Sequence, residues 1–480
     1  MLRNKDITKI QEVGALFKNT WARPEFFSDH LKLFRFSGAS AIFAPAKKSG
    51  IPFWDLLKVL LVLPFAGRGN VASLFDGTAD LASQGQKDAY YRALSNQNMD
   101  WRKLLFLFVD RYLGLDDRFT APGDGFRCLI FDDTCLGKKG RKIEGVSKIY
   151  DHVSKRFLFG YKLLVAGYWN GSVFVPVDFS FHRENKDNKA KKYGLSKREL
   201  KRQKRTGRDR ALPVHGRYGE LDSKKTDMTV RMFERAKARK IHVDYILFDS
   251  WFTTTGLIKR LRAVCKNVHV IGMYKYNSKL AINGRELSIK QLRKHHGKMS
   301  RSRSMKLYYF QYIGTMDGVK VKVFITKRGT NGAWHTILST DTGLTFVKAM
   351  KVYNTRWTIE VFFKEAKGLL GLGRSQSTNF DVQVAQTTVA MIQYLLVSLK
   401  YRMEAYETIG GMFRDIEQDY IEHKLNERLM LAISEILVLL ELITDNLDLD
   451  DTIGKLILHS DSLAFLRKTP EPLGSSKCAA

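Results

Sequence analysis

The chain has 480 residues, 44% of them hydrophobic and 12% aromatic. That is too long for one core of ordinary domain size and too apolar for a disordered chain, so two to four folded units are expected. Its 80 Lys and Arg against 49 Asp and Glu leave a formal net charge of +31, for which a polyanion, nucleic acid first, is the economical partner.

Residues 1 to 120 read as helical, punctuated by Pro45, Pro52 and Pro64. Leu56 to Phe65 is too short and too interrupted to span a membrane, and reads as a core helix. Gln86 to Ser95 reads as a short helix, scaffold first, whose Lys87, Tyr90, Tyr91 and Arg92 would suit DNA contacts as the alternative.

From Phe126 the period changes. Phe126 to Phe131 is an apolar run of strand length that stops at Asp132-Asp133-Thr134. Arg156 to Ala166 and Gly171 to Phe181 read as two strands turning at Asn170-Gly171. Lys186 to Arg217 is dense in Lys and Arg, including Lys201, Arg202, Lys204 and Arg205. Such a tract repels itself without a counter-charge, so a DNA-backbone clamp is expected, against a solvated loop. A helix over Thr226 to Lys240 leads to a second apolar strand, His242 to Phe248, stopped by Asp249. Strands and helices in this order predict an α/β (α+β) mixed sheet with helices on its faces.

Lys306 to Ile313, Val319 to Thr326 and Trp334 to Ser339 read as strands, the first two joined at Asp317-Gly318. They form an all-β insertion. Tyr353 to Lys367 then reads as one amphipathic helix: Tyr353, Arg356, Glu360, Lys364 and Lys367 on one face, and Trp357, Phe362, Phe363 and Ala366 on the core side. Solvated i,i+4 ion pairs are the bland alternative for that polar face. Trp251 and Trp357 are expected to pack the walls of a site. Past residue 380 the chain reads as helical to about Leu466, with Val384 to Leu399 as a core helix and Leu429 to Ile443 rich in Leu and Ile.

The four cysteines, Cys128, Cys135, Cys265 and Cys478, have neither zinc-ligand spacing nor a dense disulfide pattern. With no spanning apolar run and no secretory signal, a cytoplasmic protein without a membrane partner is expected.

Asp132 and Asp249 end apolar strands, where a sheet delivers side chains to its rim, and Glu360 on a packed helix would complete a set of three carboxylates. Hard carboxylate oxygens suit Mg²⁺ or Mn²⁺, and two such ions serve phosphodiester chemistry without a side-chain nucleophile. Because neighbours on a strand face opposite ways, only one of Asp132 and Asp133 should reach the site. Asp132 is preferred for its Asp-x-Thr spacing to Thr134.

The helix from Tyr353 to Lys367 also carries the Tyr-x-x-Arg-x-x-x-Glu-x-x-x-x-x-x-Lys signature. With Asp132-Asp133-Thr134 and Leu247 to Phe252, the segment from about 125 to 380 resembles the DDE transposases of bacterial insertion sequences, insertion-sequence-four family. The resemblance implies a ribonuclease-H-like catalytic core in which Asp132, Asp249 and Glu360 hold two divalent ions. Tyr353, Arg356 and Lys367 would grip DNA phosphates. It also implies cut-and-paste transposition through cleavage and strand transfer at terminal inverted repeats, through a hairpin at the element end, by a homodimer in the synaptic complex of a bacterial, nucleoid-associated protein. The competing readings are a ribonuclease-H-like nuclease that does not join strands and a non-catalytic DNA-binding protein. The organisation expected is a helical DNA-binding region over 1–120, catalytic core over 121–270, β-rich insertion over 271–345, the rest of the core over 346–400, and a helical, dimerising C-terminal region over 401–480.

Overall fold

The computed structural model describes residues 39–47, 49–65, 70–75, 86–119, 125–184, 194–294, 299–329 and 332–403. The expected helices beyond Met403, the Leu-rich stretch among them, lie outside these residues, as do residues 186–193 of the basic tract. The chain divides into two compact units, one of residues 1–35, 49–91 and 396–480, the other of 36–48 and 92–395.

In the first unit the apolar run after Pro52 forms helix α2 (Phe53–Val62), which follows α1 (Ala39–Phe43) in the chain and buries seven of its ten residues. Pro52 has no N–H to lose at the helix start. The short helix expected after Gln86 is α3 (Lys87–Leu94). Its Tyr90 is fully buried and meets the Phe75 ring edge-on at 6.0 Å, so that tyrosine is scaffold, while Tyr91 is exposed.

The second unit is built on one twelve-stranded mixed sheet, preceded by α4 (Trp101–Phe119). The strands are β1 (Cys128–Gly137), β2 (Ser147–Asp151), β3 (Arg156–Trp169), β4 (Phe174–His182), β5 (Tyr245–Phe248) and β6 (His269–Met273). The rest are β7 (Lys279–Ile282), β8 (Arg285–Ser288), β9 (Ser300–Ser302), β10 (Leu307–Met316), β11 (Val319–Lys327) and β12 (Trp334–Ser339). Strands β3 and β4 pair antiparallel to one another and β3 antiparallel to β1; β5 and β6 run parallel to β1. Wholly buried β5 is the continuous apolar run that a covered parallel strand requires, while equally buried β4 also carries Asp178, Ser180 and His182. The mixed α/β class read from the sequence is the observed one.

Three expectations are corrected. β1 does not stop at Asp132: its ladder with β3 continues to the pair Gly137–Gly160, so backbone pairing carries the strand through polar residues. The β-rich segment 271–345 also holds α9 (Ile289–Lys294), ahead of the three strands read as the insertion. That insertion does not stand off the core: β12 pairs with both β11 and β6, so these strands prolong the main sheet. The helix expected from Tyr353 to Lys367 is two, α10 (Phe346–Asn354) and α11 (Trp357–Gly368), separated by a turn at Thr355-Arg356.

The remaining helices are α5 (Lys197–Lys201), α6 (Pro213–Gly219), α7 (Lys225–Ala238), α8 (Thr255–Val264) and α12 (Phe380–Met403). α12 is buried along nearly its whole described surface. Among the described residues no helix is long and apolar enough to cross a membrane.

Candidate active site

Parallel pairing sets the first two carboxylates side by side. β1 and β5 are in register at Cys128–Tyr245, Leu129–Ile246 and Ile130–Leu247. Two residues further on, the same offset brings Asp132 level with Asp249. Asp249 opens a tight turn in which its Oδ1 accepts the N–H groups of Trp251 (2.9 Å) and Phe252 (3.2 Å), and its carbonyl accepts the Thr253 hydroxyl at 2.7 Å. That turn lies against β6 so closely that a Cβ on Gly272 would fall 2.2 Å from the Thr253 oxygen. Only glycine fits there.

The third carboxylate arrives on α11, pressed on the core by Ile359, Phe362, Phe363 and Ala366. Phe362 packs 5.5 Å from Phe174 of β4 and 4.9 Å from Tyr394 of α12. Arg356, in the turn before α11, donates through Nη1 to Asp132 Oδ2 at 2.9 Å and through Nη2 to Glu360 Oε1. One guanidinium therefore bridges a strand carboxylate and a helix carboxylate. Burial pushes the Asp132 carboxyl up to about 7; Arg356 opposes the shift, and the charges of Asp133 and Asp249 add to it. Tyr353 is half-buried beside this cluster, 6.0 Å from Arg356, and desolvation raises its phenol to about 12.

Asp133 turns the other way. It accepts from Lys225 Nζ at 2.6 Å, at the start of α7. Although burial pushes its carboxyl up, Lys225 and then Lys162 outweigh burial and hold it below the usual carboxylate range. Lys225 also stands 4.8 Å over the Trp251 ring. The sequence reading missed this lysine, and no local spacing joins it to a partner 92 positions away.

Lys367, in the last turn of α11, donates to Thr134 Oγ1 at 2.6 Å and to the Cys135 carbonyl at 3.0 Å. Beyond it, buried Lys138 donates to the carbonyls of Gly373 (2.9 Å) and Ser375 (2.6 Å), tying the end of β1 to the loop after α11. Lys364, Lys201, Arg202, Lys204 and Arg205 are exposed, and none of them is bonded to this carboxylate cluster. Two tryptophans depart from expectation: Trp357 is 62% exposed and Trp251 45% exposed, so neither is a buried wall.

The chemistry of the donor set suits a hard divalent cation: carboxylate oxygens from a rigid sheet and a packed helix, with positive charge already held between two of them. Among the described residues no three acidic, histidine or cysteine side chains are close enough to share an ion as they stand. Arg356 supplies the cationic charge that Asp132 and Glu360 share in this conformation.

The pattern described as DDE superfamily endonuclease matches residues 62–336, a span that contains Asp132 and Asp249 and ends before the Tyr353 to Lys367 segment. Among solved structures, the chain is similar to the piggyBac transposase in its synaptic complex with hairpin DNA. The identity is 14%, over 86% of this chain and 83% of that one, with a TM-score of 0.42. No curated protein matches the chain.

Proposed function

The chain belongs to the DDE superfamily endonucleases, and from that premise we propose that it is a transposase of the insertion-sequence-four type. It would cut DNA at the ends of its own element and transfer the freed 3′-hydroxyl to a target. The observations that support the reading are that Asp132 and Asp249 keep the offset of the parallel pairing two residues past its last pair, and that one guanidinium joins Asp132 to Glu360.

In this reading the sheet from β1 to β6 is a ribonuclease-H-like core. Asp132, Asp249 and Glu360 hold two Mg²⁺ or Mn²⁺ ions, which when bound activate the attacking oxygen and stabilise the leaving one. The rest falls to side chains. Arg356 already presents two Nη donors to two carboxylates, the fork geometry with which arginine takes a phosphate bidentately. Lys367 adds a point charge beside Thr134, and Tyr353 walls the cluster. Lys364 and the exposed cations of the basic tract extend the DNA contact outward. The helical segments before residue 120 contribute DNA binding, and a homodimer holds two element ends together.

The test is a duplex ending in the inverted repeats that flank the gene, incubated with Mg²⁺. Cleavage followed by joining to a target is expected; cleavage without joining would identify the plain nuclease instead. Glu360→Gln should bind the duplex as the parent does and cut it about a thousandfold more slowly or worse, which is about 4 kcal/mol of barrier. Undiminished cutting by that variant would remove Glu360 from the site.

A further inference from the structure

A cleft of about 690 Å³ opens between the first turns of α4 and the last turn of α7. α7 begins at Lys225, beside the carboxylate cluster, and 14 residues of helix separate the two places, about 20 Å at 1.5 Å per residue. The cleft is thus a separate feature from the candidate active site.

Its floor is a cluster of three arginines around two carboxylates. Asp178, 1% exposed, accepts from Arg102 Nε at 3.1 Å and from Arg235 Nε at 2.7 Å. Glu220 accepts Arg102 Nη2 on both oxygens, at 2.8 and 2.9 Å, and Arg217 Nη1 at 3.3 Å. Arg217 also gives Nη1 to the Phe179 carbonyl and lies 4.0 Å over the Phe179 ring. Three cations against two anions leave one positive charge without a counter-charge. The same surplus shows in the hydrogen bonds: Nε and Nη2 of Arg217 and Nη2 of Arg235 are shut off from solvent and have no acceptor. Buried donors are rarely left that way. Burial, reinforced first by the charge of Arg102, pulls Arg217 down to about 9. At the rim Arg239 is paired with Asp110 and Lys103 with Asp100, whereas Lys240 adds an exposed charge.

We propose that this cleft is a binding site for a phosphate-class oxyanion, whose negative charge offsets the positive charge that the arginine cluster leaves uncompensated. The chemistry is that of a small tetrahedral anion taken up by arginine forks. A free phosphate and a phosphate of the DNA backbone offer it equally. The inference does not depend on what the carboxylates do.

The experiment is thermal unfolding of the full chain in sodium phosphate against sodium chloride at equal ionic strength. A saturable rise in Tm specific to phosphate is expected. Arg217→Met, which replaces the buried cation with an apolar chain of similar length, should abolish the rise. Lys240→Gly gives an independent arm that does not threaten folding, because Lys240 has a positive φ of 59° that glycine adopts without strain; it should raise the half-saturating phosphate concentration several-fold. Lys320→Ala, at an exposed position of β11, should respond as the parent does. A rise that chloride reproduces, or that Lys240→Gly leaves unmoved, overturns the proposal. Repeating the titration with a duplex bound separates the sources: loss of the phosphate response assigns the cleft to DNA backbone, and persistence assigns it to free phosphate.

Discussion

At the scale of single residues, two adjacent aspartates divide the work by facing opposite ways. Asp132 shares Arg356 with Glu360, and Asp133 is bound to Lys225. Their asparagine variants should therefore fail differently. Asp132→Asn should fold and lose cleavage. Asp133→Asn should keep cutting measurably but lose stability, because Lys225, only 9% exposed, is left without its counter-charge. A fully buried pair broken on one side costs about 3–5 kcal/mol; with Asp133 20% exposed, about 2 kcal/mol is expected. The pH dependence follows from the direction of the shift. Asp133 has a folded pKa below its unfolded value, so its contribution is fully present above the unfolded value near 4 and disappears as the pH falls through the folded one. Denaturant melts should show the gap between parent and Asp133→Asn constant from about pH 6 to 8 and closing in acid. A gap that widened in acid would mean that Lys225 is not what holds Asp133.

At the scale of elements, the site depends on β1, α11 and the start of α12 keeping their relation, and a buried ion cluster secures it. Arg208 donates through Nη2 to Glu144 Oε2 at 2.6 Å and through Nε to Asp381 Oδ1 at 2.8 Å, with all three side chains at most 4% exposed. Glu144 lies between β1 and β2, and Asp381 in the first turn of α12. Arg208→Ala would strand two buried carboxylates and should cost about 3–5 kcal/mol in denaturant unfolding. A loss under about 1 kcal/mol would show that the cluster is incidental.

None of that cluster was legible in the sequence, because its members are separated by 64 and 173 positions and only folding brings them together. What was legible is local. Apolar runs announced β1 and β5, Asn170-Gly171 and Asp317-Gly318 announced two hairpins, and the i,i+4 spacing announced the Arg356–Glu360 pair. The strand ends were misjudged where polar residues are held by a neighbour's ladder, as in β1 beyond Asp132. The helix break was hidden because Thr355 and Arg356 keep helical dihedral angles while the Thr355 hydroxyl bonds the Val352 carbonyl at 2.7 Å. Trp357, read on the core side of one continuous helix, is exposed as the first residue of α11.

At the scale of the whole molecule, a net charge of +31 speaks for a polyanion but not for where it lies; the second unit narrows this. In the basic tract α5 is fixed by a capping box between Ser196 and Glu199, and buried Gln203 accepts the Gly145 N–H at 3.0 Å and donates to the Val146 carbonyl at 2.7 Å. Lys201, Arg202, Lys204 and Arg205 flank that anchor and are all exposed. Their side chains thus stand on a held backbone, which lowers the entropy lost when phosphates bind them. If all four neutralise backbone phosphates, replacing them with alanine should flatten the slope of log affinity against log salt for duplex DNA by up to about 3.6, at about 0.9 per phosphate contact. Cutting at saturating DNA should be spared, since none of the four is bonded to the carboxylate cluster. An unchanged slope would place the DNA on another face, and a lost turnover at saturation would mean that the tract also shapes the site.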